Sequence, residues 1–449
     1  MLKLWAAGIS VACVMALGRP RDAAAQCLGD CDGSGMVTVG ELVTGVNIAL
    51  GSAMVGACAA LDANVDGQVQ MDELIRAVSY LLDGCPVTAT TAGIVFGAEN
   101  NRLFAYQGAP GFPRQVVIPS DADAPGQGRD VNGQICFAHG PLGQVRFIAG
   151  EDTNQGPLHS TAGWGLFELG GAFPNFTWQE INHLQPTYQP VPQGGDEPEN
   201  YGCGFLSDGR LLTTDVGSQA SGEGTGQLVI WFPPLDGSNA HYCKLDVGIA
   251  TAQQIAVDDQ DRVYVASART TGASPAGIWR YTGPFPTSDA ATDGCGRVDP
   301  TGAPLVSDGR ITKERFIPSD GNIQTPGGVV LIPGGGFYVA SVVNGFIGEY
   351  DADGKFVRQV LKPPHPGIPA ETGNPIGLGL ASDGTLYFAD IGLQLYPGGG
   401  IGPGDNLGTV RRLRFVDGVP QLPEIMNSGL NFPDGIGILE PAQVPGNEG

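Results

Sequence analysis

At 449 residues and 42% hydrophobic content the chain has material for more than one core, so two or more domains are expected. Its 71 glycines and 35 prolines follow no short repeat period, which favours many tight turns between short strands over collagen or a disordered tract. A formal charge of −23 argues against a nucleic-acid partner, which needs clustered Lys and Arg, and an acidic surface favours divalent cations.

The first element is a leader. Lys3 precedes an apolar stretch from Leu4 to Leu17, and Ala23-Ala24-Ala25 offers a small-residue cleavage site, so residues 1–25 are read as a signal peptide and the protein as secreted, periplasmic or extracellular. No later segment is apolar enough to span a bilayer, and the AAQ before Cys27 lacks the leucine of a lipoprotein box. Of nine cysteines, Cys13 lies in the leader. Four fall in a first small region (Cys27, Cys31, Cys58, Cys85) and four in the large one (Cys136, Cys203, Cys243, Cys295). None has CxxC spacing, so disulfides within each region are expected rather than zinc, with Cys136–Cys203 favoured among three connectivities.

Next comes DCDGSGMVTVGE, residues 30–41, repeated 32 positions on as DANVDGQVQMDE, residues 62–73. Position one is Asp30 or Asp62, position three Asp32 or Asn64, position five Ser34 or Asp66. Gly35 and Gly67 sit where the chain must turn, Met36 and Gln68 offer carbonyls, and Glu41 and Glu73 close each loop as bidentate ligands. Oxygen-only ligands in a flexible cage suit Ca2+, so two calcium sites are predicted. Each loop runs into a helix with apolar residues at helical spacing: Leu42, Val46, Ala49 and Leu50, then Leu74, Ala77, Val78, Leu81 and Leu82. Few residues precede each loop, so the entering helices are short or missing. This small α-helical pair, residues 26–86, resembles dockerin modules and secreted EF-hand domains. With so little core it needs metal or disulfides to fold, so calcium is expected to be structural; the Met-rich groove of a sensor is absent, since only Met54 lies between the loops.

After a polar linker, 87–92, a strand pattern recurs in residues 93–440: an apolar strand, a turn with Asp or Gly, an aromatic-rich strand, a loop, and a third strand. YGCGFLSDGRLLTTDVG (201–217), QQIAVDDQDRVYVASAR (253–269), GGVVLIPGGGFYVASVV (327–343) and IGLGLASDGTLYFADIG (376–392) are clear copies, and QICFAHGPLGQVRFIAGED (134–152) is a looser one. A sixth unit is split between NFPDGIGILE (431–440) and GIVFGAENNRLFAYQ (93–107). The chain is therefore predicted to be mainly β: a six-bladed β-propeller whose N- and C-terminal strands close one blade, with a tail at 441–449.

These strand motifs, DGTLYFAD (383–390) and FPDG (432–435) among them, resemble the secreted six-bladed propellers of the gluconolactonase/regucalcin and strictosidine-synthase-like group, over about residues 92 to 440. The resemblance implies a central divalent ion held by Glu, Asn and Asp near the starts of inner strands. In this sequence Asp434 matches directly, while Tyr201, Gln253, Gly327 and Ile376 stand at the corresponding places in other copies. Glu199, Asn200 and Asn374 lie close enough to the strand starts to join Asp434 at the channel mouth; the plainer reading is that they cap strands and turns. The scattered His residues form no ligand pair, and no GxSxG, P-loop or dinucleotide fingerprint is present. Trp164, Trp178, Trp231 and Trp279, with Tyr201, Tyr264, Tyr338 and Tyr387, are expected to pack between blades, with some available for stacking a ligand.

The sequence thus favours a secreted calcium-binding protein whose propeller binds a small molecule, glycan or protein partner. Two alternatives stand beside it: a metal-dependent lactonase or esterase of the gluconolactonase type, with a further divalent ion in the channel, and dockerin-like tethering of the propeller to an extracellular assembly.

Overall fold

The computed structural model describes residues 28–31, 37–62, 67–83, 94–108, 111–140, 144–151, 163–185, 200–216, 226–237, 240–268, 275–298, 304–307, 309–361, 373–397 and 401–440. The predicted leader, the linker at 87–92 and the tail at 441–449 lie outside them. The chain divides into two compact units, Met1–Thr88 and Ala89–Gly449.

In the first unit two helices are described, α1 (Val39–Ala49) and α2 (Met71–Asp83). Thr38 caps α1 in a reciprocal box with Glu41, which satisfies amides that the first helical turn leaves without partners. Short 3-10 turns, Val55–Ala57 and Ala59–Leu61, stand before the second loop. Ile48, Cys58, Leu61, Val69, Leu74 and Ala77 form the core, tied by the Cys31–Cys58 disulfide. The expected helix faces need correction. Val46, Ala49, Leu50 and Val78 point outward, and α1 buries Glu41, Gly45 and Ile48 instead. Gly45 favours this phase: a Cβ there would lie 2.6 Å from a Leu61 methyl and 2.9 Å from a Leu74 methyl, so any larger residue would have to push these side chains aside.

The second unit is mainly β and forms a six-bladed propeller. Blade one runs Gly435–Leu439, Ile94–Glu99, Arg102–Tyr106, Arg114–Ile118 from its inner to its outer strand, so its inner strand comes from the C-terminal end of the chain. Blade two is Val131–His139, Val145–Glu151, Gly163–Gly170, Thr177–Leu184; blade three is Asn200–Phe205, Leu211–Asp215, Gly226–Phe232, His241–Ile249, with Pro304–Leu305 and Arg297–Val298 added at its edge. Blade four is Ala252–Val257, Val263–Ser267, Gly277–Thr282, Thr312–Pro318; blade five Pro326–Leu331, Phe337–Ser341, Phe346–Tyr350, Phe356–Leu361; blade six Pro375–Leu380, Leu386–Asp390, Gly408–Leu413, Glu424–Leu430. Within each four-stranded set the neighbours are antiparallel, and each inner strand packs on that of the next blade, with blade six against blade one.

The blades meet very closely at the channel. In five of them a glycine, the third residue of the inner strand in blades two, three, five and six and the first in blade one, has its missing Cβ replaced by a neighbouring carbonyl: a Cβ on Gly133 would fall 2.4 Å from Tyr201 O, and one on Gly377 2.4 Å from Asp434 O. Blade four has Gln254 at this level. Its carboxamide crosses to blade six, just as Gln134 of blade two joins Cys203 of blade three and Ile255 of blade four. Cys136–Cys203 joins the inner strands of blades two and three, and Cys243–Cys295 ties the excursion between the third and outer strands of blade four to the outer strand of blade three. Trp164, Trp231, Tyr264, Tyr338 and Tyr387 are buried between strands, and Trp178 and Trp279 are half-buried.

Candidate functional site

Two tiers of side chains surround the start of the inner strands. The first comes just before the close-packed residue of each blade: Asp434, Asn132, Tyr201, Gln253, Gly327 and Ile376 for blades one to six. In blades two to six the ladder between inner and second strands shifts register at this point, so a bulge re-aims the side chains at the mouth. The second tier is the last residue of each second strand: Glu99, Glu151, Asp215, Ser267, Ser341 and Asp390, all buried. Chain entering an inner strand carries buried amides that need acceptors. Asp390 Oδ1 accepts from Asn374 N at 2.9 Å and Gly392 N at 3.2 Å, and Ser341 Oγ accepts from Gln324 N at 3.0 Å and Thr325 N at 3.2 Å. Carboxylates stand on blades six, one, two and three, and serines on four and five.

On the carboxylate side lies a cavity of about 130 Å3 lined by Glu99, Asn101, Val131, Asn132, Asn200, Tyr201, Phe432 and Asp434. Asp434 Oδ2 accepts from Gly133 N at 3.0 Å, and the Tyr201 hydroxyl donates to the Asp434 carbonyl. Asn200 Nδ2 donates to Gly163 O at 2.6 Å. Asn132 Oδ1 is buried with no hydrogen-bond donor among the described residues, which leaves an acceptor for a ligand. Phe432 stands at the rim in the left-handed region, φ 52°, uncommon for so bulky a residue. Asn100 and Asn406 hold its neighbour Asn431 in place.

Glu99 is the chemically distinctive group. Burial pushes its carboxyl up to about 7, against the opposing effect of hydrogen bonds from Tyr106 and Asn427 and the charge of Arg114. It therefore exchanges a proton near neutral pH beside a second carboxylate, Asp434, an arrangement able to bind a cation or move a proton.

Of the residues proposed from sequence, Asn200 and Asp434 meet in this cavity. Asn374 does not: in blade six it donates to Val342 O at 2.8 Å and accepts from Leu393 N at 2.9 Å, as a turn former would. Glu199 lies outside the described residues. Glu99 and Asn132 were not foreseen, although VNG at 131–133 is the Asn-Gly pair that the other copies lack.

A separate group on blade two, Glu151, Glu180 and His183, has ligand atoms within 4.8 Å of one another and could hold a metal ion. It already contains cations. Arg129 Nε lies 3.3 Å from Glu151 and 2.6 Å from Glu180, and His183 Nδ1 lies 3.1 Å from Glu151. Burial pulls the His183 imidazole down, but Glu151 and Glu180 outweigh it and raise it to about 9. A metal would have to displace that proton and Arg129.

In the small unit, Asp30, Glu41, Asp62, Gln68 and Glu73 are described; Asp32, Ser34, Met36, Asn64 and Asp66 lie outside the described residues. Asp62 Oδ2 accepts from Gly67 N at 2.8 Å. Glu41 accepts from Cys31 N and Thr38 N at 2.7 Å, and Glu73 from Gln70 N at 2.8 Å, both buried. Among the described residues no helix is long and apolar enough to cross a membrane.

No family model matches the sequence, and no curated protein matches it. Among solved structures, a protein of unknown function from Bacteroides caccae is similar at 12% identity and TM-score 0.42, over 78% of this chain and 99% of that one. A gluconolactonase from Xanthomonas campestris is similar at 14% identity and TM-score 0.38, over 67% and 84%. A calcium-binding regucalcin from Agrobacterium tumefaciens is similar at 16% identity and TM-score 0.33, over 58% and 81%. Overlaps this shallow carry no argument about activity; the strand pairing of the chain itself defines the propeller.

Proposed function

We propose that the protein is exported, that calcium mainly stabilises its small N-terminal unit, and that the propeller mouth binds a small polar or cationic ligand. The observation that carries the ligand reading is the convergence of Glu99, Asn132, Asn200 and Asp434 from three consecutive blades on one cavity. Export is supported by the leader pattern and by three disulfides among the described residues. The calcium reading rests on the two loop sequences, the Asp62–Gly67 bond and the buried closing glutamates.

The test is calorimetric titration and metal counting on the full chain, purified without chelator, beside Asp434→Asn and Asn132→Ala. The expected result is two calcium ions retained by all three proteins and a further, weaker binding of small cations lost in both variants. A tightly held third ion that leaves on Asp434→Asn would shift the reading to a metal-dependent lactonase or esterase, for which two carboxylates in one cavity already speak. No binding at the mouth at all would sink the ligand reading.

A further inference from the structure

A larger cavity, about 690 Å3, opens between blades two and three at the other end of their inner strands. Its size falls within the range of small-molecule sites, which are mostly apolar concavities on rigid elements with a few fixed polar groups. Phe137 and Phe205 approach it from the ends of the two inner strands, with Leu166 and Leu206 beneath and Leu235 on the rim. Leu166 and Leu206 are buried, and the two phenylalanines and Leu235 are half-buried, so the apolar surface lies within a recess and not on a convex face.

The walls are held in place before any ligand arrives. Asn182 Nδ2 donates to Leu235 O at 2.6 Å and Gly237 O at 3.1 Å, fixing the rim loop of blade three to blade two. Arg146 of blade two reaches Asp236 of that loop at 3.0 Å, spanning the same seam. A pre-set apolar recess loses little ordering entropy on binding.

Charge narrows the ligand class. Arg146 sits between Asp236 and Glu168, the latter at 3.5 Å, and Asp208 is paired with Arg210 at 2.8 Å. Because each of these charges already has a counter-charge, an ionic ligand would gain little there while losing its hydration. The Phe205 ring beside Leu166 and Leu235 suits the face of a flat ring, with the Arg146 guanidinium able to donate to an acceptor on its edge.

We propose that this recess is a second binding site, independent of the mouth, for a neutral, planar aromatic molecule. The probe is N-phenyl-1-naphthylamine, neutral and fluorescent in apolar surroundings, titrated into the full chain. Saturable binding is expected, unchanged in Asp434→Asn and weakened by about tenfold or more in Ala138→Trp, which fills the recess with an indole. Leu235→Asp, at a half-exposed rim position, should weaken it similarly and serves where the larger substitution disturbs folding. The anionic 1-anilinonaphthalene-8-sulfonate should bind more weakly than the neutral probe. The proposal is overturned by absence of saturable binding, by affinity within about twofold of wild type in the folded recess variants, or by tighter binding of the anionic probe.

Discussion

Gln254 of blade four reaches the main chain of Leu378 in blade six, its Nε2 donating to the carbonyl at 2.7 Å and its Oε1 accepting from the amide at 3.0 Å. The carboxamide thus behaves as a one-residue strand laid across the channel. Gln134 does the same for Ile255, with Nε2 donating to the carbonyl at 3.0 Å and Oε1 accepting from the amide at 3.1 Å. Together they fasten non-adjacent inner strands and obstruct the channel below the mouth, so the mouth cavity and the lower recess are approached from opposite ends.

Removing one of these side chains leaves both an amide and a carbonyl buried without their partner. Gln254→Ala is therefore expected to cost about 2–4 kcal/mol, against a change within about 0.5 kcal/mol for Gln260→Ala on an exposed turn. Urea unfolding of the two variants, followed by tryptophan fluorescence, checks this. Equal midpoints would show that the cross-channel bonds contribute no net stability.

The mouth should make stability depend on pH. Glu99 titrates near 7 in the folded protein, above the 4.5 of an unhindered glutamate, because burial disfavours its charge. A raised folded pKa favours folding while the group is protonated, so this contribution is complete below about pH 4.5 and disappears as pH rises through about 7. The shift corresponds to about 3 kcal/mol. Glu99→Gln, a mimic of the protonated form, should be flatter than wild type between these limits and more stable above them. Parallel denaturant titrations at pH 5 and pH 8 test it; identical pH profiles would remove Glu99 as the titrating group.

Much of this architecture was legible because each second strand carries its own signature, such as LYFAD at 386–390 or VYVAS at 263–267, flanked by Asp/Gly turns. The last letters of those strings were also the second tier of the mouth, an acid or serine in every blade. That meaning is hidden in sequence because the residue serves an amide of another strand, as Asp390 serves Asn374. Asp434 was readable from FPDG. Asn132 was missed because the register shift between Asn132 and Cys136 separates VNG from the strand that follows. The helix faces failed for a related reason: apolar count pointed to Val46 and Leu50, whereas Gly45, with no side chain to count, lies on the face that packs.

The last inner strand is secured at its far end too. Glu440 accepts from Ser382 N at 2.9 Å and Ser382 Oγ at 2.6 Å, joining the end of blade one's inner strand to the first turn of blade six. Asp261 and Ser207 repeat this clasp between blades four and three, at 2.7 Å for both bonds. Being exposed, each clasp should contribute only about 1–2 kcal/mol. Glu440→Ala should nonetheless speed amide exchange in Gly435–Leu439 and Ile94–Glu99 more than elsewhere, whereas Asp261→Ala should not affect those strands. Exchange mass spectrometry separates the two; uniform acceleration in both variants would deny the clasp a local role.

Calcium dependence can be tested at Glu73, which is buried and closes the second loop. Without metal its carboxylate caps α2 through Gln70 N, an interaction of about 0.5–2 kcal/mol. With metal it supplies two ligand oxygens and a full negative charge, and removing that charge should weaken binding by at least about tenfold. Saturating calcium stabilises a folded site by about 2.7 kcal/mol at a hundred times the dissociation constant, so chelation should lower the melting temperature of the wild type. Glu73→Gln should shrink that gap between calcium and chelator, while Gln70→Ala, which keeps its backbone amide, should leave it unchanged. Scanning calorimetry with and without chelator reads both effects at once. A wild type indifferent to chelator would mean that the loops hold their shape through caps and the Cys31–Cys58 bond alone, and would withdraw calcium from the proposed function.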